Sequence, residues 1–252
     1  MTNQLEKWRK DEKALAIERQ LMNEALAQLG QADKRQNESR SSGRIIVGLD
    51  LTASREDSLH QARIATAAMF DTIKAIGAVA VKLIYYRGAW ECKAGEWHTD
   101  PANVSRTMLG LTCAGGGTQI AKMLRIVLAE KERISAVVFV GDHCEDWSRE
   151  LRKLAREFGE RGIPLFMFHE CAGDDARALK AKRAFEDMAS ASGGAYVPFK
   201  PDSGAVLKEL LSSVAAFSAG GAEGVERMVL PKTSEALELR GRLLLGSGNR
   251  GY

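Results

Sequence analysis

The sequence predicts an α/β fold in which a doubly wound, mostly parallel sheet is covered by helices on both faces. Short runs rich in β-branched residues, such as residues 45–49 and 134–140, are typical of buried strands. Amphipathic, helix-like segments of roughly 12 to 18 residues separate these runs, which indicates right-handed crossovers between parallel strands. The 252 residues allow one such domain with a full hydrophobic core and leave some chain for extensions.

The first 43 residues are predicted to lie outside this domain. Residues 4–36 consist mainly of good helix formers and carry one thin apolar stripe. The stripe consists of Trp8, Leu15, Met22 and Leu29. We expect one charged helix that packs this narrow face on the domain or on a partner, followed by a polar linker that ends at Gly43.

The domain itself is predicted over residues 44–219. Its strands are expected at residues 45–49, 79–86, 134–140, 163–168 and 195–197, and its helices at residues 56–75, 119–133, 147–161, 176–190 and 205–217. Residues 90–93 are predicted to pair with the second strand as a hairpin at the edge of the sheet, turned near Gly88. Residues 220–252 are rich in Gly, Ser and charge, so we expect a flexible tail in which only residues 243–245 could dock.

Composition excludes several classes of protein. The net charge of +3 is small, so nucleic acid is not the default partner. No apolar run is long enough for a membrane-spanning helix, and the first residues lack the apolar stretch of a secretory signal. The four cysteines are widely spaced, as in a cytosolic protein with reduced thiols. We therefore expect a cytoplasmic protein that does not contact membranes.

Hydroxyl and carboxyl side chains occur in three segments next to the predicted strand ends. Asp50, Thr52 and Ser54 follow the first strand at alternate positions, Thr118 follows three glycines at a helix start, and Asp142 follows a later strand. Taken singly, Asp50, Ser54 and Thr118 are also explained as helix caps. Because ligands of open α/β sheets bind beyond the carboxyl ends of the strands, the three segments are expected to meet at one edge. Five oxygen ligands without nitrogen or sulfur favour a hard divalent cation, Mg²⁺ or Mn²⁺, with Ca²⁺ as a further option.

This pattern resembles the von Willebrand factor A (VWA) family and its metal-ion-dependent adhesion site, written DxSxS…T…D. The resemblance covers roughly residues 44–217 and implies a Rossmann-like sheet with one antiparallel edge strand. It also implies that Thr52, Ser54 and Thr118 supply hydroxyl ligands, while Asp50 and Asp142 hold the ion directly or through water. The sequence departs from the family pattern in having Thr52 in place of the usual first serine. It also has a histidine after Asp142 where many relatives have glycine.

An alternative resemblance points to the phosphotransferases of the haloacid dehalogenase superfamily. In that interpretation Asp50 attacks phosphate, and Asp142 and Asp146 hold the magnesium ion. Against it, Thr52 stands where that family has an acidic residue, and no lysine lies at a suitable place before the second acidic loop.

The VWA resemblance implies an adaptor that is not an enzyme, and no nucleophile–base pair appears near the site. Its function would be metal-dependent protein binding, in which an Asp or Glu of the partner completes the coordination of the ion. Intracellular relatives often act beside AAA+ ATPases or within larger assemblies, so such a partner is expected by family analogy.

Overall fold

The structure is a computed structural model that describes residues 43–60, 79–171, 173, 175–200 and 203–247. These residues form a sheet of six strands. The strands are β1 (Gly43–Asp50), β2 (Val79–Arg87), β3 (Glu91–His98), β4 (Ala136–Gly141), β5 (Leu165–Glu170) and β6 (Ala195–Phe199). The predicted strands are therefore confirmed, and the hairpin strand β3 extends further than residues 90–93.

The strand order across the sheet is β3-β2-β1-β4-β5-β6. Neighbouring strands are parallel except for β3, which pairs antiparallel with β2. Gly88 makes the turn between β2 and β3 with a φ of 62°, a conformation that L side chains rarely adopt. This order confirms the predicted Rossmann-like, mostly parallel sheet with one antiparallel edge strand.

Helices cover both faces of the sheet. They are α1 (Pro101–Leu109), α2 (Ile120–Leu128), α3 (Ser148–Glu160), α4 (Ala176–Ser192), α5 (Gly204–Arg227) and α6 (Ser234–Ser247). A 3₁₀ turn, Ala53–Arg55, follows β1 and continues as helix over residues 56–60. Helix α1 was not anticipated from the sequence, and α5 is interrupted at Gly220 and Gly221. Within the described ranges, no helix is both long and apolar enough to cross a membrane.

Alternation along the strands divides the core into two layers. On β1, Ile45, Val47 and Leu49 belong to the layer that α1, α5 and α6 cover, whereas Ile46 belongs to the layer under α2, α3 and α4. Gly48 lies on the second face, where an added Cβ would be 2.5 Å from the sulfur of Met123 in α2. The small residue thus allows α2 to pack closely on the central strand, which fixes the position of the loop that precedes this helix.

The prediction of a flexible tail is wrong for the described residues beyond 219. Helix α6 buries three residues at helical spacing, Ala236, Leu239 and Leu243. The Glu209 carboxylate of α5 accepts hydrogen bonds from the Thr233 backbone N–H and hydroxyl, at 2.9 and 2.7 Å, and from the Lys232 N–H. The Glu209 carboxylate therefore holds the segment before α6, and the apolar stripe of α6 completes one layer of the core.

Some predictions concern segments that the structure does not describe. The N-terminal helix at residues 4–36 and the linker up to residue 42 lie outside the described residues, as does the part of the helix 56–75 beyond residue 60.

Candidate metal site

The first candidate ligand, Asp50, is the last residue of β1 and is fully buried. Its Oδ1 accepts a hydrogen bond from the Thr52 N–H at 2.8 Å, and its Oδ2 accepts one from the Tyr86 hydroxyl at 2.9 Å. Burial raises the pKa of Asp50, the hydrogen bonds from Thr52 oppose this effect, and the charge of Asp142 raises the pKa further. Burial also raises the pKa of Tyr86 well above its usual value, so this phenol stays protonated and donates to the carboxylate. The Asp50 side chain is thus held in one orientation.

Two hydroxyls follow Asp50 in the turn after β1. Thr52 is buried and Ser54 is exposed, and their oxygens lie 3.2 Å apart. Adjacent ligands of an octahedral Mg²⁺ at about 2.1 Å are separated by roughly 3 Å. The spacing therefore suits two neighbouring positions around one ion. The backbone of Thr52 forms an isolated bridge with Ala114, which joins this turn to the glycine loop.

The glycine loop carries Thr118 to the start of α2. The Thr118 hydroxyl donates to Oδ2 of Asp146 at 2.7 Å and accepts from the Glu145 N–H at 2.8 Å. A hydroxyl has two lone pairs, so one acceptor position of Thr118 is not used by these contacts. Gly116 contacts the turn between β2 and β3 so closely that an added Cβ would be 2.0 Å from the Gly88 carbonyl oxygen. The loop therefore requires glycine at this position for steric reasons.

Asp142 follows β4 and is mostly buried, with 12% of its side chain exposed. Its Oδ2 lies 2.7 Å from Nδ1 of His143, whereas its Oδ1 is buried and has no hydrogen-bond partner among the described residues. Gly141, the preceding residue, would place a Cβ 3.2 Å from the Asp50 Cβ. The end of β4 therefore lies directly beside the Asp50 side chain, and a buried carboxylate oxygen there needs a cation or a water.

Asp146, which the VWA pattern does not include, holds two of these loops together. Its carboxylate accepts from the Ile120 and Ala121 N–H groups at 3.2 and 3.0 Å, in addition to the Thr118 hydroxyl. It therefore caps the N-terminus of α2 from a different loop. In the alternative interpretation Asp146 is a magnesium ligand, but here both of its oxygens are used by the cap.

His169, near the end of β5, holds the backbone of Asp142 in place. Its Nε2 lies 3.1 Å from the Asp142 carbonyl oxygen, which can only accept, so Nε2 carries the proton. Its Nδ1 then accepts from the Tyr196 hydroxyl at 3.0 Å, and the Cys171 sulfur lies 3.1 Å from the same nitrogen. Burial lowers the pKa of His169 below its usual value of 6.5. Neutral His169 therefore fixes the backbone of a candidate ligand.

This burial predicts a pH dependence of stability that His169→Asn should remove. Below pH 6.5 the imidazole is protonated in the unfolded chain but stays neutral in the folded one until the pH falls to its lowered pKa. The contribution of neutral His169 to the free energy of unfolding is therefore fully present above pH 6.5 and is lost progressively below it. The loss reaches at most about 2 kcal/mol at pH 5. Urea denaturation at a series of pH values between 5 and 8 measures this loss. The quantity to compare between the wild type and His169→Asn is the slope of the free energy of unfolding against pH, not its absolute value. Parallel slopes for the two proteins would show that His169 titrates alike in both states.

A buried ion pair lies beside the candidate ligands. Arg55 Nη1 is 3.0 Å from the Glu170 carboxylate, with 2% and 7% of the two side chains exposed. Arg55 belongs to the same 3₁₀ turn as Ser54, and Glu170 is the last residue of β5. The pair therefore joins the turn that carries the hydroxyls to the carboxyl end of another strand.

Four of the five predicted ligands interact with one another, and the fifth, Thr118, is bonded to a neighbouring loop. Asp142 acts electrostatically on Asp50, and the Thr52 and Ser54 hydroxyls contact each other, whereas Thr118 contacts the Asp146 loop. Within the described part of the chain, no group of three or more His, Cys, Asp or Glu side chains could hold a metal ion. The predicted set contains only two carboxylates, and its other three oxygens are hydroxyls. The chemistry of this donor set and the unpartnered Asp142 oxygen fit a hard cation.

Comparison with solved structures identifies the class of fold. The chain is similar to a von Willebrand factor type A protein from Catenulispora acidiphila, with 15% identity, a TM-score of 0.57 and 71% of this chain covered. It is also similar to the SpRpn10 VWA domain, with 14% identity, a TM-score of 0.52 and coverage of 69% of this chain and 94% of that one. The fold is therefore that of VWA domains.

A third similar structure is proximal thread matrix protein 1 from the mussel byssus, described with a zinc-occupied MIDAS motif. The identity is 12%, the TM-score is 0.52, and 69% of this chain is covered. The matched region spans 46% of the mussel protein and 43% of the Catenulispora protein, which is less than half of each. No protein-family model matches this chain, and no curated protein matches it.

Proposed function

We propose that this chain is a metal-dependent protein-interaction module. Asp50, Thr52, Ser54, Thr118 and Asp142 would hold a divalent cation, Mg²⁺ or alternatively Mn²⁺ or Ca²⁺, at the carboxyl edge of the sheet. An Asp or Glu side chain of a protein partner would complete the coordination. The bound ion would supply an electrophilic centre for that carboxylate, because three of its five protein ligands are neutral hydroxyls.

The observation that carries this proposal is the buried Oδ1 of Asp142, which has no hydrogen-bond partner in the described ranges, at the strand end beside the buried Asp50 side chain. Two acidic side chains close to each other destabilise the fold unless a cation or protons compensate them. The 3.2 Å separation of the Thr52 and Ser54 oxygens supports the same conclusion, since it suits neighbouring ligands of one ion. The similarity to VWA structures, one of them with an occupied metal site, agrees with it.

Two exposed tryptophans lie on loops next to the candidate ligands. Trp90, 85% exposed, follows the turn at Gly88 that contacts the glycine loop, and Trp147, 82% exposed, directly follows Asp146. Lys122 of α2 donates to the Trp90 carbonyl oxygen at 2.6 Å, which joins the turn that carries Trp90 to α2. Large exposed aromatic side chains are typical anchors of protein interfaces. They would contact apolar residues of the partner around its metal-bound carboxylate.

The phosphotransferase alternative is less consistent with the geometry. A nucleophilic Asp50 must be reached by a bulky phosphate group, but its side chain is fully buried. Asp146 caps α2 instead of facing an ion. We therefore propose a binding function rather than catalysis. A partner such as an AAA+ ATPase or a larger assembly, and a cytoplasmic location, are part of this proposal, whereas nucleic acid and membranes are not.

The proposal is tested by capture of partners from the native cell extract with and without a chelator. EDTA should abolish capture by the full chain, and Ser54→Ala and Thr118→Ala should each reduce it about tenfold or more in Mg²⁺. Thr118→Ala leaves the backbone bonds of Asp146 to α2 in place, so the fold is expected to persist.

Ser190→Ala is the matched control, since Ser190 is exposed near the end of α4. It should capture partners as the unmodified chain does. Capture that survives both EDTA and the two site variants would exclude a metal bridge.

A further inference from the structure

The surface of α3 carries a row of cations that begins seven residues after the candidate ligand Asp142. Helix α3 starts six residues after Asp142, directly after the loop that carries this ligand. Its buried face packs on the sheet through Leu151, Leu154, Ala155 and Phe158. Arg149, Lys153 and Arg156 are exposed and, being four and three positions apart, share the opposite face. They extend over about 10 Å along the helix axis.

These three side chains are available for a ligand, because the two acidic residues within the row, Glu150 and Glu157, pair with other arginines. Glu150 pairs with Arg125 of α2, and Glu157 pairs with Arg161 at 2.5 Å. Among the described residues, Arg149, Lys153 and Arg156 make no ion pair, whereas Arg152 beside them pairs with Asp187 of α4. We define Arg149, Lys153 and Arg156 as the basic row. Glu160, one turn beyond Arg156, places an acidic residue at its far end.

We propose that the basic row binds an acidic, extended segment of the same partner whose carboxylate reaches the metal. This inference rests on the proposed function and specifies the partner chemistry. Alternate residues of an extended strand lie on one side, roughly 6.6 Å apart, and the four- and three-residue steps of the basic row rise about 6 and 4.5 Å along the helix axis, distances that long side chains can bridge. Acidic side chains at every second position of the partner would therefore match the basic row. Exposed Trp147, which directly precedes α3, lies between Asp142 and the basic row along the chain.

Nucleic acid is the less suitable occupant of this surface. Acidic residues lie at both ends of the basic row, with exposed Glu145 and half-buried Asp146 before it and Glu160 after it. A continuous phosphate backbone would pass these carboxylates, whereas a peptide can place neutral residues opposite them. The small net charge of +3 also argues against a general polyanion site.

The test uses fluorescence anisotropy of the full chain with synthetic peptides in Mg²⁺ at low salt. One peptide has glutamate at every second position, and its partner peptide keeps a single glutamate with glutamine elsewhere. We expect the first to bind about tenfold more tightly, and the triple variant Arg149→Glu, Lys153→Glu, Arg156→Glu to remove this difference. Higher salt should reduce the difference as well.

A control variant with the same change in net charge separates local from general electrostatics. Lys131→Glu, Arg133→Glu and Lys208→Glu alter exposed residues that do not belong to α3 and should preserve the tenfold preference. Equal weakening by the two triple variants would overturn the proposal. So would a Kd above about 1 mM for the multi-glutamate peptide, or tighter binding of a single-stranded oligonucleotide that only the α3 variant abolishes.

A chelator arm distinguishes this inference from the proposed function. If EDTA weakens both peptides equally and the preference remains, the metal bridge and the basic row both contribute. If EDTA has no effect while the α3 variant still removes the preference, the metal bridge fails and the basic row stands. If EDTA abolishes binding and the α3 variant has no effect, the basic row fails and the metal bridge stands.

Discussion

Replacement of Arg55 by methionine is expected to lower the free energy of unfolding by about 3–5 kcal/mol. The Arg55 guanidinium lies 3.0 Å from the Glu170 carboxylate, and both side chains are almost fully buried. Methionine preserves much of the apolar contact of the arginine stem but leaves Glu170 as a buried charge without a counter-ion. Equilibrium denaturation in guanidinium chloride measures the loss.

A second variant shows whether the loss comes from the uncompensated charge. Arg55→Met combined with Glu170→Leu removes both charges and should recover most of the stability, because well-packed apolar pairs often replace buried ion pairs without cost. The exposed pair of Arg242 and Glu238, at 2.5 Å, is the matched control, and Arg242→Met should cost less than about 1 kcal/mol. An equal loss for Arg55→Met in both Glu170 backgrounds would contradict the ion-pair explanation.

The position of this pair explains why it was not predicted from sequence. Arg55 and Glu170 lie in different segments, far apart along the chain, and each alone resembles an ordinary surface charge. Only the sheet order, which brings the ends of β1 and β5 to one edge, makes them neighbours. Asp146 was missed for the same reason. It accepts a hydrogen bond from the backbone of Ile120, at the start of a helix 26 residues earlier in the chain.

Features that depend on local pattern were predictable. Buried strands are continuous apolar runs because both faces are covered, so β1, β4 and β5 could be located from residue type alone. Parallel strands collect their carboxyl ends at one edge, which explains why Asp142 acts electrostatically on Asp50. The local pattern did not show that Tyr86 and His169 hold these two residues in place.

Helix α6 shows where composition misleads. The residues beyond 219 are rich in Gly, Ser and charge, which is typical of a mobile tail. Three apolar positions with helical spacing are nevertheless enough to dock a short helix when a carboxylate from another helix of the same chain binds the backbone at its start. Glu209, which supplies that carboxylate, lies 23 residues before Lys232, so only the tertiary structure shows the contact.

Removal of the Asp142 charge is expected to abolish stabilisation by Mg²⁺. A ligand at one hundred times its Kd stabilises the folded chain by about 2.7 kcal/mol, and a hundredfold weaker site reduces this to about 0.4 kcal/mol. For a chain of this size the difference corresponds to a Tm shift of roughly 5–9 °C. Differential scanning calorimetry of the wild type and Asp142→Asn, with excess MgCl₂ and with EDTA, measures the shift. MnCl₂ and CaCl₂ in parallel determine which ion is preferred.

The stability in EDTA separates a ligand from a purely structural residue. Without metal, Asp142 is a mostly buried carboxylate with an unpartnered oxygen, and its charge raises the pKa of Asp50. Asp142→Asn removes that repulsion, so the metal-free variant should be as stable as the wild type or more stable. Asp187→Asn, which alters a surface pair with Arg152, should leave the Mg²⁺ response unchanged. If Mg²⁺ stabilised wild type and Asp142→Asn equally, or stabilised neither, the oxygen ligands at this edge would not form the proposed metal site.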